Sequence, residues 1–328
     1  MSEEAPPIFI GGLNRSGTSM VRQILGSHSA VAIPPSEFEF LKRIRVRPRA
    51  RLGEAQVAEL VDRVLSWPKV SEWEVDRDAV LHLALGEPTH RGIFVAFLRS
   101  YADQRSKPLF GDKTTSYERH LAVLDRWFAH RYTFVHLVRH PVATFASARW
   151  YRGVQSPIDP HVWSRTWNGS VLAALRRLRA RSPGYVLLRY EDVVSDPGLA
   201  MAAVCDAAHL EFEPRMLEMG DFARRENSSF ELVEAEYVGS VRRLDGVVRA
   251  ERLSASELNV VRAQCRVLAR LLGYDVDDER AIVPFAVGRS SAAIGFRMAF
   301  ATTSTAHRAR HVPARLVTVW RTRARAHA

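Results

Sequence analysis

The sequence predicts an α/β fold in which a doubly wound parallel sheet is flanked by helices. Three observations carry that expectation. Nearly continuous apolar runs recur at 8–10, 132–138 and 185–188, the pattern of strands covered on both faces. Longer segments of helical period separate them, giving the strand–helix–strand order that parallel pairing requires. The first run leaves through a Gly-rich turn directly into an amphipathic helix.

That opening stretch sets the rest. Ile8-Phe9-Ile10 reads as a short buried strand and Gly11 to Gly17 as the turn, after which Met20, Ile24 and Leu25 share one helical face. A helix N-terminus behind a tight loop is an anion cradle. Its first N–H groups lack intrahelical partners, and the dipole adds about half a positive charge. From Gly12 the chain reads Gly-x-x-x-x-Gly-Thr-Ser, a P-loop-type (Walker A) pattern with Thr18 in the lysine position. In an NTPase that lysine reaches the β- and γ-phosphates. The cradle therefore suits a phosphate-type group, but not obviously ATP.

The remaining elements follow in order. Val31-Ala32-Ile33 predicts a second short strand, and Ser36 with Glu39 fits a capping box that would start a helix. Arginines at 43, 45, 47, 49 and 51 share one side of an extended segment, and Pro48 opposes a helix there. This stretch is either a solvated loop or an anion-facing rim. Residues 54–104 carry helical periodicity throughout and read as a helical insertion. Leu109 to Thr114 predicts a strand ending in a polar loop, followed by a helix over about 120–130. Residues 132–138 form the clearest strand, with His136 inside it as a satisfied core histidine. The next helix starts at Pro141, a residue suited to the first helical position. Trp163, Trp167, Val171 and Leu175 recur by fours along a helix at about 161–180, a core stripe. A strand at 185–190 and helices at about 197–209 and 254–273 complete the pattern. Arg15, Lys113, Arg139 and Tyr190 all follow predicted strand ends. In a parallel sheet they converge on one rim.

The 328 residues, 47% apolar and 25% charged, are enough for a substantial core. The net charge of +11 is uneven: 42–51 contributes +6 and 281–328 contributes +8, which leaves the remainder at −3. Lysine is scarce, with only Lys42, Lys69, Lys107 and Lys113 against 43 arginines, so each invites scrutiny. Cys205 and Cys265 lack metal-ligand spacing and read as reduced structural thiols. The acidic MSEEAPP start, with no apolar run long enough to span a bilayer, leads to an expectation of a cytoplasmic protein.

Several motifs together resemble the sulfotransferases that use 3′-phosphoadenosine 5′-phosphosulfate (PAPS), in particular their bacterial and tyrosylprotein branch. Asn14-Arg15-Ser16-Gly17-Thr18-Ser19 resembles the family's 5′-phosphosulfate loop, with Asn14 in place of the usual proline. Leu137-Val138-Arg139-His140-Pro141, with Ser147 eight residues after the arginine, resembles the motif that grips the donor's 3′-phosphate. Leu188-Arg189-Tyr190-Glu191-Asp192 resembles the family's Arg-Tyr-Glu-Asp strand end, which adds Tyr190 to the expected donor contacts. Glu37 falls at the branch's general base and Lys113, in Gly-Asp-Lys-Thr, at its catalytic lysine. Asn227 to Arg243 aligns with the branch's donor-binding loop, placing Ser228 at a transition-state serine and Arg243 at a donor-binding lysine. A further family arginine is Tyr151 here, with Arg149 or Arg152 as substitutes.

The resemblance implies one sulfotransferase domain over 7–275, with 54–104 inserted, and a basic C-terminal extension over 276–328. It implies PAPS as donor and no metal. In this assignment Glu37 deprotonates an acceptor hydroxyl, with Glu39 as the alternative base, while Arg15, Lys113 and Ser228 stabilise the leaving phosphate. Arg139 offers a planar fork to the 3′-phosphate dianion. The expected acceptor is a small molecule, a glycan or a glycolipid, with no nucleic acid partner. The extension reads either as a basic amphipathic segment on an anionic membrane or as a helix packed on the domain or a second subunit. Two rivals stand beside this: an ATP-dependent P-loop kinase, weakened by Thr18, and a non-enzymatic polyanion- or membrane-binding protein acting through its arginine-rich segments.

Overall fold

The computed structural model describes residues 6–47, 50–150, 157–218 and 253–278. Within them the chain runs β1 (Ile8–Gly12), α1 (Thr18–Gly26), β2 (Val31–Ala32), α2 (Phe40–Arg43), α3 (Glu54–Leu65), α4 (Pro68–Ser71), α5 (Arg77–Gly86), α6 (His90–Asp103) and β3 (Leu109–Lys113). A 3₁₀ turn (Tyr117–His120) leads to α7 (Leu121–Phe128), β4 (Thr133–Val138), α8 (Pro141–Arg149), α9 (Pro160–Arg179), β5 (Tyr185–Arg189), α10 (Tyr190–Ser195) and α11 (Pro197–Ala207). The last described helix is α12 (Ala255–Leu271).

The five strands lie in the order β2-β3-β1-β4-β5, and every pairing is parallel. The expected α/β class therefore holds, with β1 central and its exit loop at the switch point where ligands of such sheets gather. Alternation along the strands splits the core in two. Ile8, Ile10, Val135 and Leu137 face one layer with Val21 and Ile24 of α1 and Met201 and Val204 of α11. Phe9, Phe134 and Val138 face the other, where Phe94 and Phe97 of α6, Trp127 of α7 and Trp167 of α9 pack. The helical reading of 54–104 holds as α3 to α6, and the tryptophan stripe of α9 is core.

Local details sharpen this frame. His136 is fully buried and satisfied, its ring nitrogens 2.5 Å from the Tyr185 hydroxyl and 2.9 Å from Ser170 Oγ. Both cysteines are buried and unbridged, and burial pushes Cys205 up to about 11 and Cys265 to about 12. The half-buried Lys107 has a structural role. Its ammonium donates to the carbonyls of Gly26, His28 and Val31 at 2.8, 2.9 and 2.9 Å, tying the end of α1 to β2.

The expected capping box at Ser36 and Glu39 does not form. The helix begins only at Phe40, behind Glu39 in the left-handed region at φ 55°. Ser36 Oγ instead donates to the Lys69 carbonyl at 2.6 Å and accepts from Trp73 Nε1 at 2.8 Å. A tertiary contact to the α4 region outcompetes the local cap, and it frees residues 36–39 to form a loop over the sheet rim. Among the described residues no helix is long and apolar enough to cross a membrane. The basic extension from 279 onward lies outside the described residues.

Candidate active site

The sheet is parallel, so the carboxyl ends of β1, β3, β4 and β5 present Gly12, Lys113, Val138 and Arg189 along one rim. The β1–α1 loop sits at its middle. Its path needs three positive φ values: Gly12 at 127°, Arg15 at 72° and Gly17 at 91°. Gly12 also lets the loop lie against β4, since a Cβ there would sit 2.2 Å from the Leu137 carbonyl oxygen. The α1 N-terminus has no side-chain cap, so its first-turn N–H groups, from Thr18 onward, lack intrahelical partners. The Ser16 N–H donates to the Leu13 carbonyl at 3.2 Å and closes the turn. Ser16 and Thr18 are buried, and Ser19 is half-buried.

On the β4 side, Arg139 and Ser147 meet the loop. Arg15 Nε donates to Ser147 Oγ at 3.0 Å, and Arg139 donates to the Arg15 carbonyl at 3.2 Å. The Arg139 guanidinium lies 4.2 Å from the Tyr190 ring centroid, and that ring edge fills the space beside Gly17. Arg139 Nε is buried with no hydrogen-bond partner among the described residues. A desolvated guanidinium donor beside a hydroxyl and an uncapped helix N-terminus fits a polyanionic ligand.

On the β3 side, Glu37 descends from the 36–39 loop onto Lys113. Lys113 Nζ donates to Glu37 Oε1 at 3.2 Å, and the Thr115 N–H reaches the same oxygen at 3.3 Å. Glu37 Oε2 accepts from Thr115 Oγ1 at 3.4 Å and faces Lys69 Nζ at 3.6 Å and Lys42 Nζ at 3.8 Å. Burial would push the Glu37 carboxyl up, but Lys113, Lys42 and Lys69 together outweigh it and hold it at about 2. Burial also pushes the Lys113 ammonium down, opposed by Glu37. Beneath them Asp112 is fully buried. Desolvation pushes it up to about 6 against the hydroxyls of Tyr117 and Thr114, which favour its charge. Glu39 accepts from Arg43 at 2.7 Å and, at 3.1 Å, from Lys69, the lysine that also faces Glu37.

Comparison with known proteins places the chain in a family. The model of the sulfotransferase family matches residues 6–214. The chain belongs to the sulfotransferase family. Among solved structures it is similar to the sulfotransferase domain of the olefin synthase of Synechococcus PCC 7002. That likeness has 19% identity and a TM-score of 0.54, and covers 84% of this chain and 98% of that one. It is similar also to the sulfotransferase domain of the curacin biosynthetic pathway, at 20% identity and a TM-score of 0.51, covering 83% and 99%. At such identities the likeness is one of fold. No curated protein matches the sequence.

Within this sulfotransferase, Arg15, Ser16, Gly17, Thr18, Ser19, Arg139, Ser147 and Tyr190 are gathered around one loop, with Glu37 and Lys113 beside it. Ser228 and Arg243 lie outside the described residues, as do Tyr151 and Arg152. Arg149 is engaged elsewhere, its Nε donating to Glu257 of α12 at 2.8 Å. The rest of the Arg-Tyr-Glu-Asp strand end is structural. The fully buried Arg189 pairs with Asp192 at 2.7 and 2.8 Å, and Glu191 accepts from the His140 N–H and the Tyr274 hydroxyl. These contacts fix the backbone from which Arg139 and Tyr190 project. Lys42, Lys69 and Thr115 were not expected at the site. Lysine scarcity singled out the two lysines, but no sequence pattern pointed them at Glu37.

Proposed function

We propose that this sulfotransferase moves a sulfuryl group from PAPS to a hydroxyl acceptor, a carbohydrate or glycolipid. The observation that carries the reading is the Glu37–Lys113 pair beside a phosphate loop that holds no lysine of its own. PAPS supplies an activated sulfate whose leaving group is a phosphate. The chain's own groups meet the charge that develops there. Arg15, Lys113 and the first-turn N–H groups of α1 are all donors, and the family resemblance adds Ser228, which lies outside the described residues. Arg139 and Ser147 would hold the 3′-phosphate, with the Tyr190 ring 4.2 Å from the guanidinium as its support.

Glu37 takes the proton of the acceptor hydroxyl while that oxygen bonds to sulfur. The bond between sulfur and the phosphate oxygen breaks, releasing adenosine 3′,5′-bisphosphate. A carboxylate held at about 2 is a weak base, since catalytic bases work best near the operating pH. Lys113 supplies the remedy. When its ammonium turns from Glu37 Oε1 to the leaving phosphate, the largest cationic influence on Glu37 is withdrawn and its proton affinity rises. One lysine thus links leaving-group stabilisation to base strength.

Thermal unfolding with nucleotides tests the reading. Adenosine 3′,5′-bisphosphate without Mg²⁺ should raise Tm, and Arg139→Ala should abolish the rise. Arg139→Lys should not restore it, because an ammonium lacks the planar fork. Transfer of labelled sulfate from PAPS to fractionated cell extract should then identify the acceptor. A rise seen only with Mg·ATP would replace this reading with a kinase.

A further inference from the structure

The two oxygens of Glu37 keep different company. Oε1 belongs to the sheet side, with the buried Lys113 ammonium, 8% exposed, and the Thr115 N–H. Oε2 faces the helical layer, where Lys42 of α2 and Lys69 of α4 have side chains 30% and 44% exposed. Their ammonium groups stand 3.8 and 3.6 Å from it, which is ion-pair range without hydrogen bonding. Lys42 donates instead to Thr115 Oγ1 at 3.1 Å, and Lys69 to Glu39 at 3.1 Å. Around the pair, among the described residues, Lys42, Arg43, Lys69, Lys113 and the buried Arg22 stand against Glu37, Glu39 and the buried Asp112, a formal surplus of two positive charges.

Three of the chain's four lysines therefore converge on one carboxylate, and the fourth, Lys107, is accounted for by its three carbonyls. The hydrogen bonds to Glu37 come from Lys113 and Thr115. Lys42 and Lys69 add charge at ion-pair range without a hydrogen bond to it. The surplus becomes a liability during turnover. When Glu37 accepts the acceptor's proton its charge disappears, so Lys42 loses the carboxylate it faces and Lys69 keeps only Glu39. An anion arriving with the acceptor removes that cost at the moment it arises.

Resting on the sulfotransfer reading, we propose that the acceptor carries its own anionic group, a carboxylate or phosphate, beside the hydroxyl that is sulfated, and that Lys42 and Lys69 bind it. The mobile, compact ammonium heads suit either anion, whereas a guanidinium fork would fix one geometry.

The test uses the full chain saturated with adenosine 3′,5′-bisphosphate, titrated calorimetrically with methyl glucoside, methyl glucuronide and methyl glucoside 6-phosphate. 4-Hydroxyphenylacetate against its amide provides a second scaffold. The anionic member of at least one series should bind at least about 10-fold more tightly than its neutral counterpart. The glucuronide and phosphate arms tell the two anions apart. Lys42→Met/Lys69→Met should collapse the preference to within about 2-fold, and Lys42→Arg/Lys69→Arg should keep most of it. Affinity for the bisphosphate should stay within about 2-fold in both variants. Equal binding of charged and neutral ligands, binding of none, or a preference that survives the double methionine variant overturns the proposal. If the bisphosphate itself fails to bind, the donor assignment falls instead, and that failure is separately visible.

Discussion

Lys113 Nζ donates to Glu37 Oε1 across 3.2 Å, joining the end of β3 to a loop 76 residues earlier. Both groups are nearly buried, with side chains 8% and 12% exposed, so each depends on the other for its charge. The pair lies beside the β1–α1 loop, and the proposed chemistry turns on where that ammonium is directed.

Glu37→Gln should lower kcat by about 10²- to 10⁴-fold, the usual worth of a general base. Affinity for adenosine 3′,5′-bisphosphate should change less than about 2-fold, because Arg139, Ser147 and the loop are untouched. Single-turnover transfer of labelled sulfate and calorimetry read the two effects separately. Equal turnover in the variant would remove Glu37 from the mechanism.

Glu37 and Asp112 should give opposite pH dependences of stability. Glu37 is depressed to about 2, so its contribution is complete above about 4.5 and declines as pH falls toward 2. The stability gap between the wild type and Glu37→Gln should therefore shrink between about pH 5 and 3. Asp112 is raised to about 6, so stability is lost as pH rises through that value. Asp112→Asn should raise stability by about 2–3 kcal/mol at pH 7.5 and by almost nothing at pH 4. Urea unfolding at the four pH values checks both signs.

Gly17→Ala should damage the loop twice over. The position needs φ 91°, and a Cβ would lie 2.5 Å from the Tyr190 ring. A loss of about 2 kcal/mol in stability and at least about 10-fold in bisphosphate affinity is expected. Gly26→Ala is the control, since nothing lies within 4 Å of its Cβ position, and it should be neutral or gain about 0.5 kcal/mol.

Lys107→Met should separate structure from catalysis. Three carbonyls lose a charged donor, so stability should fall by about 2 kcal/mol. The kcat and the bisphosphate affinity of the folded protein should be unchanged. Denaturant unfolding and the sulfate-transfer assay measure the two.

Much of this fold is legible in the sequence. The five strands, the helices of 54–104, the core tryptophans of α9 and the satisfied His136 all follow from periodicity and residue type, which report local burial. The Ser36–Glu39 cap failed because Ser36 found partners at Lys69 and Trp73, more than thirty residues away, which no local pattern encodes. Arg149 was likewise diverted to Glu257, 108 residues on.

The sequence by itself determined the strand–loop–helix and its anion cradle, because glycine spacing and helix polarity act within a dozen residues. Sheet order then made the rim, because parallel strands end on the same side and any residue just past an end must arrive there. Only the tertiary structure decided which charges surround Glu37. Lys42, Lys69 and Lys113 come from a helix, a second helix and a strand, and they meet because the loop that carries Glu37 is tied to α4 through Ser36 and rests on the end of β3 through Lys113. Electrostatic strength depends on separation in space and on exclusion of water, and neither is written in separation along the chain.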